Sequence, residues 1–255
     1  MLRVENLSKE FRNGRGRTAR TVQAVKNLSF QCKPGEIYGL LGPNGAGKTT
    51  TLRCLSTLIK PTSGNVWIDR YNVLEHGQMF RSKIGFLTSD MKLDGYFSPD
   101  YMMNWFGRLN KMQDSEIEQR KEKLFVDLKM TDFIHKKIDE LSSGMKQKTA
   151  VAISLIHDPD VIIFDEPTNG LDIVTSKAVT DFLVSRSESG KIVILSTHNM
   201  TIAEKLCHRF GILVEGELKE EGTLSGIIQG SDWDSLEDVF FSYILPDPTA
   251  GGEHV

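Results

Sequence analysis

Short apolar or β-branched runs alternate along the chain with stretches whose apolar residues recur at helical spacing. The runs Glu36–Leu41, Val66–Asp69, Lys83–Leu87, Val161–Phe164, Lys191–Ser196 and Phe210–Glu215 predict strands. Between them Leu52, Leu55 and Ile59 share one helical face, as do Ile117, Leu124, Phe125 and Leu128, and later Val174, Ala178, Phe182 and Leu183. Strands that alternate with amphipathic helices imply an α/β fold with a mainly parallel core sheet. The opening departs from this rhythm. Leu2–Leu7 and Val22–Phe30 read as strands with no helix between them, joined by a Gly- and Arg-rich tip, so an antiparallel piece is expected beside the parallel sheet. From about Phe97 to Asp139 strand signals give way to helical ones, with a helix over Ser115–Lys129, which predicts a helical insertion. Leu236, Val239, Phe240, Tyr243 and Ile244 mark a last helix, and a loose tail is expected after Pro246.

Composition narrows the class. The 255 residues are 39% hydrophobic and 25% charged, enough apolar surface to build a core. The formal charge of −3 argues against bulk electrostatic capture of nucleic acid, which is not expected as a partner. Cys32, Cys54 and Cys207 are odd in number and far apart, a pattern of reduced thiols rather than of a disulfide framework or zinc site. The segment after Met1 is charged and strand-like, unlike a signal peptide. No stretch approaches the ~18–20 apolar residues that cross a bilayer, so the chain is expected to cross no membrane by itself.

The chemistry is concentrated in two motifs. Gly42, Pro43, Asn44, Gly45, Ala46, Gly47, Lys48 and Thr49 match G-x-x-x-x-G-K-[ST] between a predicted strand and a predicted helix, with Thr50 following. The glycines let backbone N–H groups converge on phosphate oxygens, and the helix N-terminus adds its positive dipole end. Lys48 would reach the β- and γ-phosphates, and the Thr49 hydroxyl would ligate Mg²⁺. The second motif is Val161–Glu166, an apolar strand whose carboxyl end presents Asp165 and Glu166 on the ligand edge of such a sheet. Asp165 suits Mg²⁺, directly or through water, and Glu166 suits a base or positioner for an attacking water.

Between them stands Leu141-Ser142-Ser143-Gly144-Met145-Lys146-Gln147-Lys148, similar to the signature of ATP-binding-cassette (ABC) ATPases. Asn169-Gly170-Leu171-Asp172 resembles the D-loop of that family, and His198 in Ser196-Thr197-His198 its switch histidine. In family order these resemble an ABC transporter ATP-binding subunit over residues 2–229. The resemblance implies a P-loop NTPase with an antiparallel β subdomain, a helical subdomain at about 97–157, and a C-terminal helix and tail over 230–255. It also implies a homodimer holding ATP between its subunits. In it Ser142, Ser143, Gly144, Met145 and Asp172 of one copy face the ATP site of the other, where Lys48, Glu166 and His198 act. Without that context Ser142 reads as a helix N-cap, which it can also be. Phe11 stands where the family stacks an aromatic on adenine, with core packing as the rival reading.

Two departures matter. Ser89 falls where the family has a glutamine that touches the metal. Serine can contact Mg²⁺ through water, and Asp90 could ligate if the loop shifts. Met145 to Lys148 and Ser235–Phe240 are similar to the sodium-efflux (NatA-like) and antibiotic-export (DrrA-like) branch. The branch implies an integral membrane permease as partner, export of an ion or small molecule, and a place at the cytoplasmic face of the cell membrane. A soluble ABC ATPase and a nucleotide-sensing regulatory module are the alternatives. Arg12, Arg15, Arg17 and Arg20 form a basic tip, read as a solvated loop, with anionic lipid as the other reading.

Overall fold

The computed structural model describes residues 1–13, 20–229, 231 and 233–245. Arg15, Arg17 and the tail after Pro246 lie outside the described residues.

Two sheets make the frame. Strands β1 (Leu2–Asn13), β2 (Arg20–Cys32), β4 (Ser63–Ile68) and β5 (Tyr71–Asn72) form an antiparallel sheet in the order β2-β1-β4-β5. The second sheet runs β10-β9-β3-β8-β7-β6, from β3 (Ile37–Leu41), β6 (Ile84–Leu87), β7 (Val161–Asp165), β8 (Ile192–Thr197), β9 (Arg209–Val214) and β10 (Glu217–Gly222). Its ladders are parallel from β9 to β6, and only β10 is antiparallel.

The central strands are continuous apolar runs because both faces of the sheet are covered. Alternate residues serve opposite layers. Val161 and Ile163 of β7, with Ile192 and Ile194 of β8, pack toward the antiparallel sheet and helix α1 (Lys48–Leu55). Ile162, Phe164, Val193 and Leu195 pack the other way, with α5 (Ser143–Leu155) and α6 (Ile173–Glu188).

The helical insertion is the crossover between neighbouring strands β6 and β7. It comprises α3 (Pro99–Leu109), α4 (Asp114–Asp127), a 3-10 turn at Ile138–Glu140, and α5. Ser98 caps α3 by accepting from the Tyr101 N–H, and Pro99 fills the first turn, where no donor is needed. Short helices α2 (Gly77–Arg81), α7 (Met200–Leu206) and α8 (Leu224–Gln229) precede the last helix, α9 (Leu236–Ile244). Among the described residues no helix is long and apolar enough to cross a membrane.

Three expectations are corrected. Helix α1 ends at Leu55, and Thr57 takes a positive φ of 63°, so Ile59 lies beyond the helix, although it still packs on the core. Val174 is 79% exposed and Ile173 88%, because the first turn of α6 presents both to solvent, while the buried side of the helix is Val179, Phe182 and Leu183. Strand β10 and helices α7 and α8 were not anticipated. The Glu- and Lys-rich β10 is a sheet edge, so no apolar run reveals it.

Candidate functional site

Register brings the chemistry to one edge of the core sheet. Leu41 pairs with Thr197 and Asp165 with Ser196, so the carboxyl ends of β3, β7 and β8 finish together. The loop 42–47 follows β3 and opens α1. Gly47 sits at φ 104°, and a Cβ there would collide with the Ala24 carbonyl of β2, so only glycine lets the loop lie this close to the antiparallel sheet.

A cavity of about 320 Å³ forms over this edge. Residues Pro43 to Thr50 line it, joined by Ala24, Ser89, Asp165, Glu166, Asn169 and His198. Lys48 is buried, its ammonium donating to the Gly42 carbonyl at 2.6 Å and the Pro43 carbonyl at 3.1 Å. Its Nζ also lies 3.9 Å from Glu166 Oε1. Burial holds the Lys48 pKa below the ordinary lysine range, against the pull of Glu166 and Asp165.

Asp165 is 1% exposed and doubly bonded: Thr49 Oγ1 donates to Oδ2 at 2.7 Å and Ser196 Oγ to Oδ1 at 2.5 Å. The next residue, Glu166, has a positive φ of 52°, with its N–H donating to Ser196 Oγ at 3.1 Å and to the Ser196 carbonyl at 3.2 Å. A non-glycine residue in this region is strained, and such strain gathers at functional sites. The turn aims Glu166 Oε1 at His198 Nδ1, 2.9 Å away.

Thr49 and Asp165 offer hard oxygen donors, the type Mg²⁺ takes. Among the described residues no group of three or more His, Cys, Asp or Glu could cage a metal. A Mg²⁺ here would therefore complete its shell with phosphate oxygens and water, as this ion commonly does.

Other expected site residues lie elsewhere. Ser142 to Met145, Asp172 and Phe11 are not among the cavity lining. Ser142 does cap α5, its hydroxyl accepting from the Met145 N–H at 3.3 Å. Gly144 is buried against the side chain of Thr175, where a Cβ would collide. Thr175 in turn donates its N–H (3.0 Å) and hydroxyl (2.7 Å) to Asp172, which holds that carboxyl below its ordinary range. The signature and Asp172 thus meet each other through Thr175, and neither lines the cradle cavity. Phe11 is on β1 opposite Val22, 38% exposed, with the Lys9 ammonium 5.1 Å from its ring centre. Asp90 turns toward Arg53 at 3.7 Å instead of into the cavity.

Sequence reasoning missed Ala24, Ser196 and Asn169 as parts of the site. A serine closing an otherwise apolar strand was the one available sign for Ser196.

A parallel sheet with a phosphate loop and an acidic strand end on one edge defines a P-loop NTPase. The ABC transporter family profile matches residues 25–169, and the chain belongs to that family as an ATP-binding subunit. It is 32% identical over 246 residues to the ABC transporter ATP-binding protein NatA of Bacillus subtilis, covering 96% of this chain and 98% of that protein. The Nod factor export ATP-binding protein I of Paraburkholderia xenovorans is 35% identical, over 89% of this chain and 73% of its own length. A methionine import ATP-binding protein, MetN 1 of Bacillus anthracis, is 33% identical, over 89% of this chain and 66% of its own. Among solved structures, the dimeric cassette MJ0796 bound to ADP and Pi in a post-hydrolysis state superposes with a TM-score of 0.78. It is 28% identical, over 88% of this chain and 99% of that one.

Proposed function

We propose that this subunit binds and hydrolyses ATP to energise export of an ion or small molecule through a separate membrane permease, from the cytoplasmic face of the cell membrane. The observation that carries the reading is the junction at the sheet edge, where Lys48, Thr49, Asp165, Glu166 and His198 meet around one cavity.

The chemistry is mostly positioning and electrostatics. Loop amides from Asn44 to Thr50 would cradle the β- and γ-phosphates, and Lys48 would exchange its two carbonyl partners for phosphate oxygens. Thr49 and Asp165, with Ser89 on the same cavity, would hold Mg²⁺, which would neutralise phosphate charge when bound. Glu166 accepts a proton from the attacking water, and His198 fixes the carboxylate that does so. Phe11 would stack on adenine, as the family resemblance implies.

A second copy of the chain completes the site. The signature and Asp172 do not line this chain's own cradle, which supports their use in trans: Ser142, Ser143, Gly144 and Met145 would offer a hydroxyl and helix-start N–H groups to the partner's γ-phosphate. The relative that is a dimer bound to ADP and Pi supports the pairing of two copies.

A docking face supports the permease as partner. Tyr101, Trp105 and Leu109 recur every fourth residue on α3 and are 44%, 53% and 63% exposed. An apolar stripe of this kind fits an amphipathic segment of the permease. The adjoining stretch carries Ser89 and is stitched to the turn before the signature, Ile138 N–H to the Phe97 carbonyl at 2.8 Å and Asp139 N–H to the Gly95 carbonyl at 3.1 Å. The export direction rests on the resemblance of the signature and C-terminal segments to exporters.

The test of the chemistry is Glu166→Gln. It should bind ATP, form a long-lived dimer with Mg²⁺–ATP, and release phosphate at least about 100-fold more slowly. Undiminished hydrolysis would remove Glu166 from the mechanism. Co-purification with the permease and cargo-stimulated hydrolysis test the coupling.

A further inference from the structure

We infer that the C-terminal helix α9 positions His198, acting through α7. The inference rests on the reading of Glu166 and His198 just given. Strand β8 ends at Thr197 and α7 starts at Met200, so His198 and Asn199 are the whole connection. That connection has no slack. The Asn199 N–H donates to Thr197 Oγ1, its side chain accepts from the Ile202 N–H, and its carbonyl accepts from the Ala203 N–H, each at 3.0 Å. Where α7 begins therefore decides where the imidazole stands relative to Glu166 Oε1.

A helix of seven residues cannot hold its place by its own stability, so packing must do it. Leu206 anchors the far end of α7 in the core beneath the helical layer. The end next to His198 relies on Met200 and Ala203, which are buried with Leu41 of β3, with Phe210, Ile212 and Val214 of β9, and with Leu236, Val239 and Phe240 of α9 and Ile227 of α8. On the opposite flank Ile202 and Lys205 border an open cavity of about 810 Å³ that reaches Glu166 and His198. The start of α7 thus rests on the sheet residues of this cluster and on α9, the part of the packing that lies outside the sheet, while Ile202 packs on the core beneath the helical layer. Helix α9 has its own cap, Ser235 Oγ accepting from the Asp238 N–H at 3.1 Å. With the α9 contact weakened, α7 loses part of this packing and gains room to shift toward the cavity, which loosens the 2.9 Å contact between His198 Nδ1 and Glu166 Oε1.

The test uses the full chain with Phe240→Ala, which empties the centre of the contact. Kcat for ATP hydrolysis should fall about tenfold while ATP affinity stays within about twofold, because the phosphate loop is untouched. Phe240→Leu should restore most of the rate. Val239→Ala, a smaller deletion, should act in the same direction if Phe240→Ala does not fold. The discriminating readout is the His198 imidazole resonance, assigned by its loss in His198→Asn, which should move in Phe240→Ala while those of His76 and His135 stay in place. A His198 resonance that does not move overturns the inference whatever the rate does. A resonance that moves while hydrolysis is unchanged supports the packing link and overturns the catalytic reading of His198 instead.

Discussion

Replacing Ser196 by alanine removes one oxygen from the centre of the cradle and leaves the strand otherwise unaltered. That hydroxyl donates to Asp165 Oδ1 at 2.5 Å and accepts from the Glu166 N–H at 3.1 Å. The Glu166 amide keeps the Ser196 carbonyl at 3.2 Å, so the loss falls on Asp165. A hydrogen bond to a charged group contributes about 1.5–3 kcal/mol, and a carboxylate this buried cannot readily recruit water in its place. Thr49 still donates at 2.7 Å, so the cost should be about 2 kcal/mol rather than that of an orphaned charge. For a chain of this size that lowers the nucleotide-free melting temperature by about 4–8 °C. Asp165 would also be less firmly oriented toward Mg²⁺, and such supporting bonds change metal affinity by about tenfold or more. Scanning fluorimetry reads the first effect. Phosphate release at saturating ATP across a Mg²⁺ titration reads the second, as a half-saturation raised about tenfold. A melting temperature within about 1 °C of the parent and an unchanged Mg²⁺ curve would refute the assignment of Ser196 to the site.

Other outcomes follow from the same geometry. Trp105→Glu should leave ATP hydrolysis by the isolated subunit unchanged and abolish co-purification with the permease; retained co-purification would move the docking face off α3. Lys48→Met should reduce ATP affinity by at least about tenfold, since it deletes the buried cation of the cradle, and equilibrium nucleotide titration checks it. His157 is held below the ordinary imidazole range chiefly by burial, and its Nδ1 has no partner among the described residues. The unfolded chain then binds the extra proton, so folding stability is lost as pH falls below about 6.5. His157→Gln should flatten that loss in urea midpoints taken between about pH 7 and pH 5, and parallel slopes in the two proteins would exclude His157 as the cause.

The phosphate loop and the Asp165–Glu166 strand end were legible in the sequence because their chemistry is local. A glycine spacing, a lysine and a hydroxyl must be adjacent to shape a backbone nest, and a carboxylate pair must close an apolar strand to reach the ligand edge. The alternation of strands and helices was equally plain, because a parallel sheet covered on both faces needs uninterrupted apolar runs. Strand β10 was hidden because edge strands carry charge, which reads as loop. Val174 misled because its spacing matched Ala178 and Phe182, and spacing does not say whether a helix has a neighbour over its first turn.

By itself, then, the sequence determined the family, the nucleotide motifs and the layered α/β plan. Only the tertiary structure decided which of those motifs meet. It joined Thr49, Asp165 and Ser196 through bonds spanning 116 and 31 residues, and brought His198 to Glu166 across 32. It left Ser142–Met145 and Asp172 out of the cradle's lining, and set α9 against the helix that follows His198. The physical reason is strand order and register: β7 lies next to β8, and β8 next to β3, whatever their separation along the chain. Periodicity reports which face of an element is buried, and not which element covers it.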